Sequence, residues 1–124
     1  MKIFLFLLFT LSLYAQDYPI FKDVQVYKGS YSVIKFYHKA DKSADSVSFN
    51  LRANRDDTTY TLRKYNSGAT GGDSTQIDID GKLIKVTLTA TNTAALTPGF
   101  YYYYISDDST TIYAGYLKVL SIGY

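Results

Sequence analysis

The chain has 124 residues, with 13 Lys and Arg against 11 acidic residues, all of them Asp, and it contains neither Cys nor Trp. Near-balanced charge excludes nucleic acid as the main partner, because phosphate binding takes clustered Lys and Arg. The missing Cys and Trp exclude disulfide staples and the disulfide-plus-tryptophan core of antibody-type domains, so an exported domain of this size must hold together by its core alone.

The first fifteen residues read as a leader. Lys2 supplies a short basic region, Ile3 to Leu13 is apolar apart from Thr10 and Ser12, and Ala15 offers a small residue for cleavage before Gln16. The segment is shorter than the about 20 apolar residues that a membrane-spanning helix needs, so no stable membrane span is expected. With no Cys after Ala15, a lipid anchor is not indicated either. Residues 16–124 then form one domain, within the usual size of about 100–150 residues. Deleting Lys2 leaves 12 basic residues against 11 Asp.

Helix formers are scarce and Tyr, Thr, Val and Ile are plentiful, which predicts an all-β domain. Val24 and Val26 alternate with Gln25 and Tyr27 in a first strand ended by Gly29-Ser30. Tyr31 to His38 forms a second, with Ile34 and Phe36 favoured as the buried pair over Val33 and Tyr37. Val47, Phe49 and Leu51 alternate with Ser48, Asn50 and Arg52 in a half-buried strand. Tyr60 and Leu62 mark another over about Thr58 to Tyr65. Arg52, Arg55, Arg63 and Lys64 fall close together with Asp56 and Asp57 among them, and read as a solvated hairpin. Asn66 to Asp73 is small, polar and Gly-rich, and is expected to be the least ordered internal segment.

Ile77 and Ile79 open a hairpin turned at Asp80-Gly81, with Ile84, Val86 and Leu88 buried on the return strand. Ala90 to Ala95 reads as a short connecting turn. Leu96-Thr97-Pro98-Gly99-Phe100-Tyr101 follows as a corner, since Pro98 fixes φ, Gly99 frees it, and a Tyr two residues later matches a tyrosine corner whose phenol bonds back to upstream backbone. The next strand starts with five consecutive aromatics, Phe100 to Tyr104. Asp107-Asp108 turns the last hairpin, and Ile112 to Leu120 completes a set of seven or eight strands without a substantial helix.

From Ile77 onward the run IDIDGKLIKVTLTATNTAALTPGFYYYYISDDSTTIYAGYLKVL resembles small immunoglobulin-like modules of tailed-phage virion (tail, baseplate or head-decoration) proteins. The matching features are Leu88-Thr89, Thr93, the Leu96 to Tyr101 corner, the Tyr102 to Ile105 strand, the Asp107-Asp108 hairpin and Gly115. VQVYKGSYSVIKFY and VSFNLRANRDD resemble the opening strands more loosely, and fibronectin type III domains carry a similar Leu-x-Pro-Gly corner. The resemblance implies an immunoglobulin-like (fibronectin III-like) sandwich of about seven antiparallel strands. It also implies a non-enzymatic structural or interaction role in a virion, assembling through sheet-face and edge contacts with copies of itself or a larger assembly. The leader supports an alternative, an exported bacterial cell-surface or periplasmic module that binds protein or glycan.

Strand alternation puts Tyr101, Tyr103 and Ile105 on one face and Phe100, Tyr102 and Tyr104 on the other. The corner, Leu96, Pro98, Gly99 and Tyr101, is structural. Phe100, Tyr102 and Tyr104 are the interface candidates, because outward aromatic strips mark partner surfaces. The competing reading is that these rings pair with Tyr113 or Tyr116 and stabilise the sheet. No cofactor, metal or catalytic residue is expected. Asp78-x-Asp80 lacks the remaining calcium-loop ligands. Asp56-Asp57 and Asp107-Asp108 would clamp a cation only if their loops meet, and His38, the one histidine, reads as an exposed residue at a strand end.

Overall fold

The computed structural model describes residues 19–121, so the leader expected over residues 1–15 lies outside the described residues. Nine strands follow in chain order: β1 (Ile20–Phe21), β2 (Val24–Tyr27), β3 (Ser32–Tyr37), β4 (Val47–Arg52), β5 (Leu62–Tyr65), β6 (Ile77–Asp80), β7 (Leu83–Leu88), β8 (Gly99–Asp107) and β9 (Thr110–Leu120). One helical turn, α1 (Ala90–Ala94), joins β7 to β8.

The strands make two sheets. The larger runs β5–β4–β8–β9, with β1 and β2 end to end along the free edge of β9, and the smaller runs β3–β7–β6. Alternation in each strand sends one set of side chains between the layers. Ile34 and Phe36 of β3, Ile77 of β6, and Ile84, Val86 and Leu88 of β7 are buried against Val47, Phe49 and Leu51 of β4, Tyr103 and Ile105 of β8, and Leu117 and Val119 of β9. Val33 and Tyr37 point outward, as the favoured reading of that strand had it. An aromatic cluster occupies the centre. The Phe36 ring lies 5.8 Å from Tyr103 and 5.0 Å from Tyr113, and Phe49 stacks on Tyr103 at 5.5 Å.

The expected all-antiparallel sheet fails at the N-terminal edge, where β1 and β2 both run parallel to β9, with Ile20 opposite Tyr113 and Val24 opposite Leu117. Among the described residues this leaves the outer edge of β3 without a strand partner. Side chains close it: Lys22 Nζ donates to the Lys35 carbonyl at 2.7 Å, and Tyr113 Oη donates to that of Tyr37. An edge so capped is a poor template for another strand.

Local chemistry shifts several expected boundaries. The strand read over Thr58 to Tyr65 begins only at Leu62, which leaves Tyr60 in the preceding loop. The β6–β7 turn is Gly81-Lys82 and not Asp80-Gly81, because Asp80 still pairs with Leu83 and Gly81 takes the positive φ of +61° at the first loop position. Likewise the last hairpin turns on Asp108-Ser109, since Asp107 pairs with Thr110. Ala90 to Ala94 is helical because Thr89 and Asn92 form a reciprocal cap, with Asn92 N donating to Thr89 Oγ1 and Thr89 N to Asn92 Oδ1. Asn66 to Asp73 is not a loose segment at its root. Asn66 is buried, accepts from Val47 N at 3.0 Å and donates to the Asp45 carbonyl at 2.8 Å, tying the loop to the start of β4.

Candidate interaction surface

Parity along the strands decides what the larger sheet shows to solvent. β8 sends Phe100, Tyr102 and Tyr104 outward while Tyr103 and Ile105 go to the core. Cross-strand register then puts Tyr116 and Arg52 beside Tyr102, and Lys118 beside Phe100. Asn50 of β4 faces Arg63 of β5, and Ser48 faces Tyr65. Six rings, Tyr60, Tyr65, Phe100, Tyr102, Tyr104 and Tyr116, and three cations, Arg52, Arg63 and Lys118, therefore share this outer surface. None of the outward positions on its strands is an Asp.

The cations cover ring faces. The Arg52 guanidinium lies 4.7 Å from the Tyr60 centroid and 5.2 Å from that of Tyr104, while Arg63 lies 4.1 Å from Tyr60 and 5.1 Å from Tyr65. Each such stack contributes about 0.5–1 kcal/mol at a wet surface, where water competes for the cation. Hydrogen bonds hold the geometry. Arg52 Nη2 donates to Tyr60 Oη at 3.1 Å and to Tyr104 Oη at 3.3 Å, and the two phenols lie 2.8 Å apart. Arg63 Nε donates to Oδ1 of the buried Asn50 at 2.9 Å. Bonding from Tyr104 and Arg52 lowers the Tyr60 phenol below its ordinary range, whereas burial raises that of Tyr104.

The two readings of the aromatic strip divide by residue. Tyr102 meets Tyr116 of β9 edge-on at 6.1 Å and its same-strand neighbour Tyr104 in a tilted contact at 6.4 Å, while Tyr104 packs across to Arg52 of β4, so both half-buried rings do cross-strand work. Tyr113 is buried in the core and plays no part in this surface. Phe100, with 65% of its surface exposed, has Lys118 against its face at 5.3 Å, and Tyr116 is 49% exposed. From sequence Arg52 and Arg63 read as part of a solvated hairpin and Tyr60 as a strand residue, none of them as part of this surface. The available signal was their parity, since Arg52 and Arg63 sit next to the inward residues Leu51 and Leu62.

At the corner, Leu96 is buried, Pro98 is exposed, and Gly99 adopts a φ of +140° as β8 begins. The Tyr101 ring packs on the core and its Oη accepts from Thr97 N–H at 2.9 Å. Lys28 Nζ closes the other side, donating to the Ala94 and Leu96 carbonyls at 2.6 and 2.7 Å. Tyr101→Phe removes an acceptor whose donor is accessible to water, so urea denaturation should report a loss of only about 0.5–1.5 kcal/mol.

The carboxylates of the two acidic turns do not cluster as the cation-clamp reading requires, although the two loops adjoin. Asp45, Asp107 and Asp108 gather within 4.8 Å of one another, without Asp56 or Asp57. Lys42 Nζ already sits 2.7 Å from Asp107 and 3.7 Å from Asp45, and the crowding with Asp107 raises the Asp45 carboxyl. Asp78 pairs with Lys85 at 3.2 Å. His38 is half-buried, not exposed, with its ring 6.3 Å from Tyr113, and desolvation lowers its pKa.

The order β2–β9–β8–β4–β5 against β3–β7–β6, joined across the layers through the corner, defines an immunoglobulin-like β-sandwich. No protein-family model matches the chain. No curated protein sequence matches it. Similar solved structures include an uncharacterized protein from Bacillus anthracis str. Ames, at 17% identity and a TM-score of 0.48 over 83% of this chain and 84% of that one. Another is the ZIG-8–RIG-5 IG1–IG1 heterodimer, at 16% identity and a TM-score of 0.45 over 86% of this chain and 88% of that one.

Proposed function

We propose that the chain is a non-enzymatic interaction module that binds a protein partner through the outer face of its larger sheet. The observation that carries this reading is the continuous surface of Phe100, Tyr102, Tyr104, Tyr116 and Tyr60 interleaved with Arg52, Arg63 and Lys118. Tyr and Arg are the residue types that dominate binding energy at protein interfaces. The charge chooses the occupant. The whole chain carries a formal +2, and three of its cations point outward from these strands with no Asp among the outward strand positions, Asp23 and Asp56 standing in the connections at the two ends of the surface. A second copy docked by the same face would set like charges together, so the partner is an unlike protein with an acidic surface.

Affinity capture tests the face. Wild type, the face variant Phe100→Ser/Tyr102→Ser and the opposite-sheet control Tyr31→Ser/Val33→Ser are compared. The face variant should lose at least about tenfold in retention of a partner that the other two keep, the loss of one or two hot-spot rings. Equal retention by all three overturns the proposal.

The setting we propose is a virion-associated assembly, supported by the resemblance of the Leu96 to Tyr101 corner and its Tyr-rich strand to phage modules. The leader over residues 1–15 supports the second reading, an exported surface or periplasmic module. Mass spectrometry of the N-terminus separates them: processing before Gln16 means export, and an intact Met1 in a particle means assembly without it.

A further inference from the structure

At the end of the aromatic face, beside the β4–β5 and β8–β9 connections, lies a groove of ≈ 410 Å³ lined by Arg52, Arg55, Asp56, Tyr104, Ser106 and Thr111. Among the described residues neither arginine has a carboxylate in ion-pair contact, the three ion pairs there being made by lysines. Arg52 is held in place by the bonds of its Nη2 to Tyr60 and Tyr104, and its Nε–H is buried out of a ligand's reach, so the guanidinium meets the groove with its remaining N–H groups. A guanidinium is a planar fork of five donors, suited to grip a carboxylate with two parallel bonds. Being already fixed against two rings, that of Arg52 loses little freedom when it does so.

We infer that this groove receives an Asp or Glu side chain presented on a peptide segment of the partner, gripped by Arg52 and Arg55. The inference rests on the face reading above and adds the chemistry read at one end of it. Asp56 on the lining selects for a single negative charge, since it repels a phosphate or sulfate dianion more than a carboxylate. The rings argue against an acidic sugar. Arg52 and Arg63 both lie over Tyr60, Arg52 lies over Tyr104, and Tyr102 is packed against Tyr104 and Tyr116. A pyranose stacking on Tyr60 or Tyr104 would therefore have to compete with a guanidinium already placed there.

The test is NMR titration of the isotope-labelled full chain, following arginine Nε–H and backbone amide signals. The probes are acetyl-Gly-Glu-Gly-amide, its Gln counterpart, inorganic phosphate and digalacturonate. The Glu peptide should give saturable shifts at Arg52 and Arg55, the Gln peptide none, and the exposed substitution Arg55→Gln should weaken the Glu peptide at least about fivefold, the order expected for one charge-assisted contact. Tyr31→Ser/Val33→Ser, on the opposite sheet, should leave that affinity unchanged. No saturable shift, or an equal response to Glu and Gln, overturns the inference. Tighter binding of phosphate or digalacturonate overturns it in favour of those ligands. If the Glu peptide fails while Phe100→Ser/Tyr102→Ser still abolishes partner capture, the groove assignment falls and the face stands. If the peptide binds but capture ignores the face variant, the face reading falls and the assignment of the groove to the partner falls with it.

Discussion

Gly115→Val should destabilise the domain by about 3–5 kcal/mol, a large share of the about 5–15 kcal/mol that holds a typical domain together. Gly115 is absent from the glycines with positive φ, so backbone freedom is not what the position requires. Space is. A β-carbon there would fall 2.8 Å from the Lys22 carbonyl carbon, closer still to its oxygen, and 3.1 Å from Asp23 Oδ1. The chain between β1 and β2 crosses β9 at this point, and three bonds fasten it: Lys22 N to the Ala114 carbonyl at 3.0 Å, Tyr116 N to Asp23 Oδ1 at 3.0 Å, and Tyr103 Oη to the Lys22 carbonyl. Any side chain pushes this crossing off the sheet. The two lost bonds from backbone N–H cost about 1 kcal/mol each, and the stranded Tyr103 hydroxyl adds about 1–3 kcal/mol. Thermal melting should show a fall of more than about 12 °C, taking roughly 4 °C per kcal/mol for a domain near this size. Gly68→Ala is the control, because its nearest neighbours are 3.6 Å away. It should stay within about 0.5 kcal/mol of wild type. A Gly115→Val protein that melts like the control would show that the crossing contributes nothing to stability.

Tyr103→Ala is the second large effect. The side chain is fully buried, with Phe49 stacked on it at 5.5 Å and Phe36 tilted against it at 5.8 Å. Truncating a buried aromatic costs about 3–5 kcal/mol, from lost transfer energy and the cavity left behind. Tyr103→Phe keeps the ring and removes only the hydroxyl, so chemical denaturation should find about 1–2 kcal/mol. Burial also raises the Tyr103 phenol well above its ordinary range, because ionising it in this core is costly. Since the hydroxyl bonds the same Lys22 carbonyl that Gly115 makes room for, Tyr103→Phe and Gly115→Ala should be less than additive in a double-mutant cycle. Strict additivity would mean that the two residues do not act through that carbonyl.

The core was largely legible as alternation. Val47, Phe49 and Leu51, and Ile84, Val86 and Leu88, are buried as their parity implied. The parallel seating of β1 and β2 was not legible, because it depends on Gly115 and on Asp23 capping Tyr116 N–H from 93 residues away. Nor was the extent of the outer surface. Phe100, Tyr102 and Tyr104 could be placed outward from β8 alone, but Arg52 reaches Tyr104 across 52 residues and Tyr60 across 8. The interleaved Asp56 and Asp57 made that stretch look like an ordinary wet hairpin.

By itself, then, the sequence determined an all-β domain, the short alternating runs that supply its core, and the corner from Leu96 to Tyr101. Each of those is set by periodicity and by turn residues within a few positions of one another. Tertiary structure alone decided which strands became neighbours, and so which rings the arginines cover and where two of them line a groove. Register sets those distances, and register depends on how two whole sheets close over one core, which no local pattern contains.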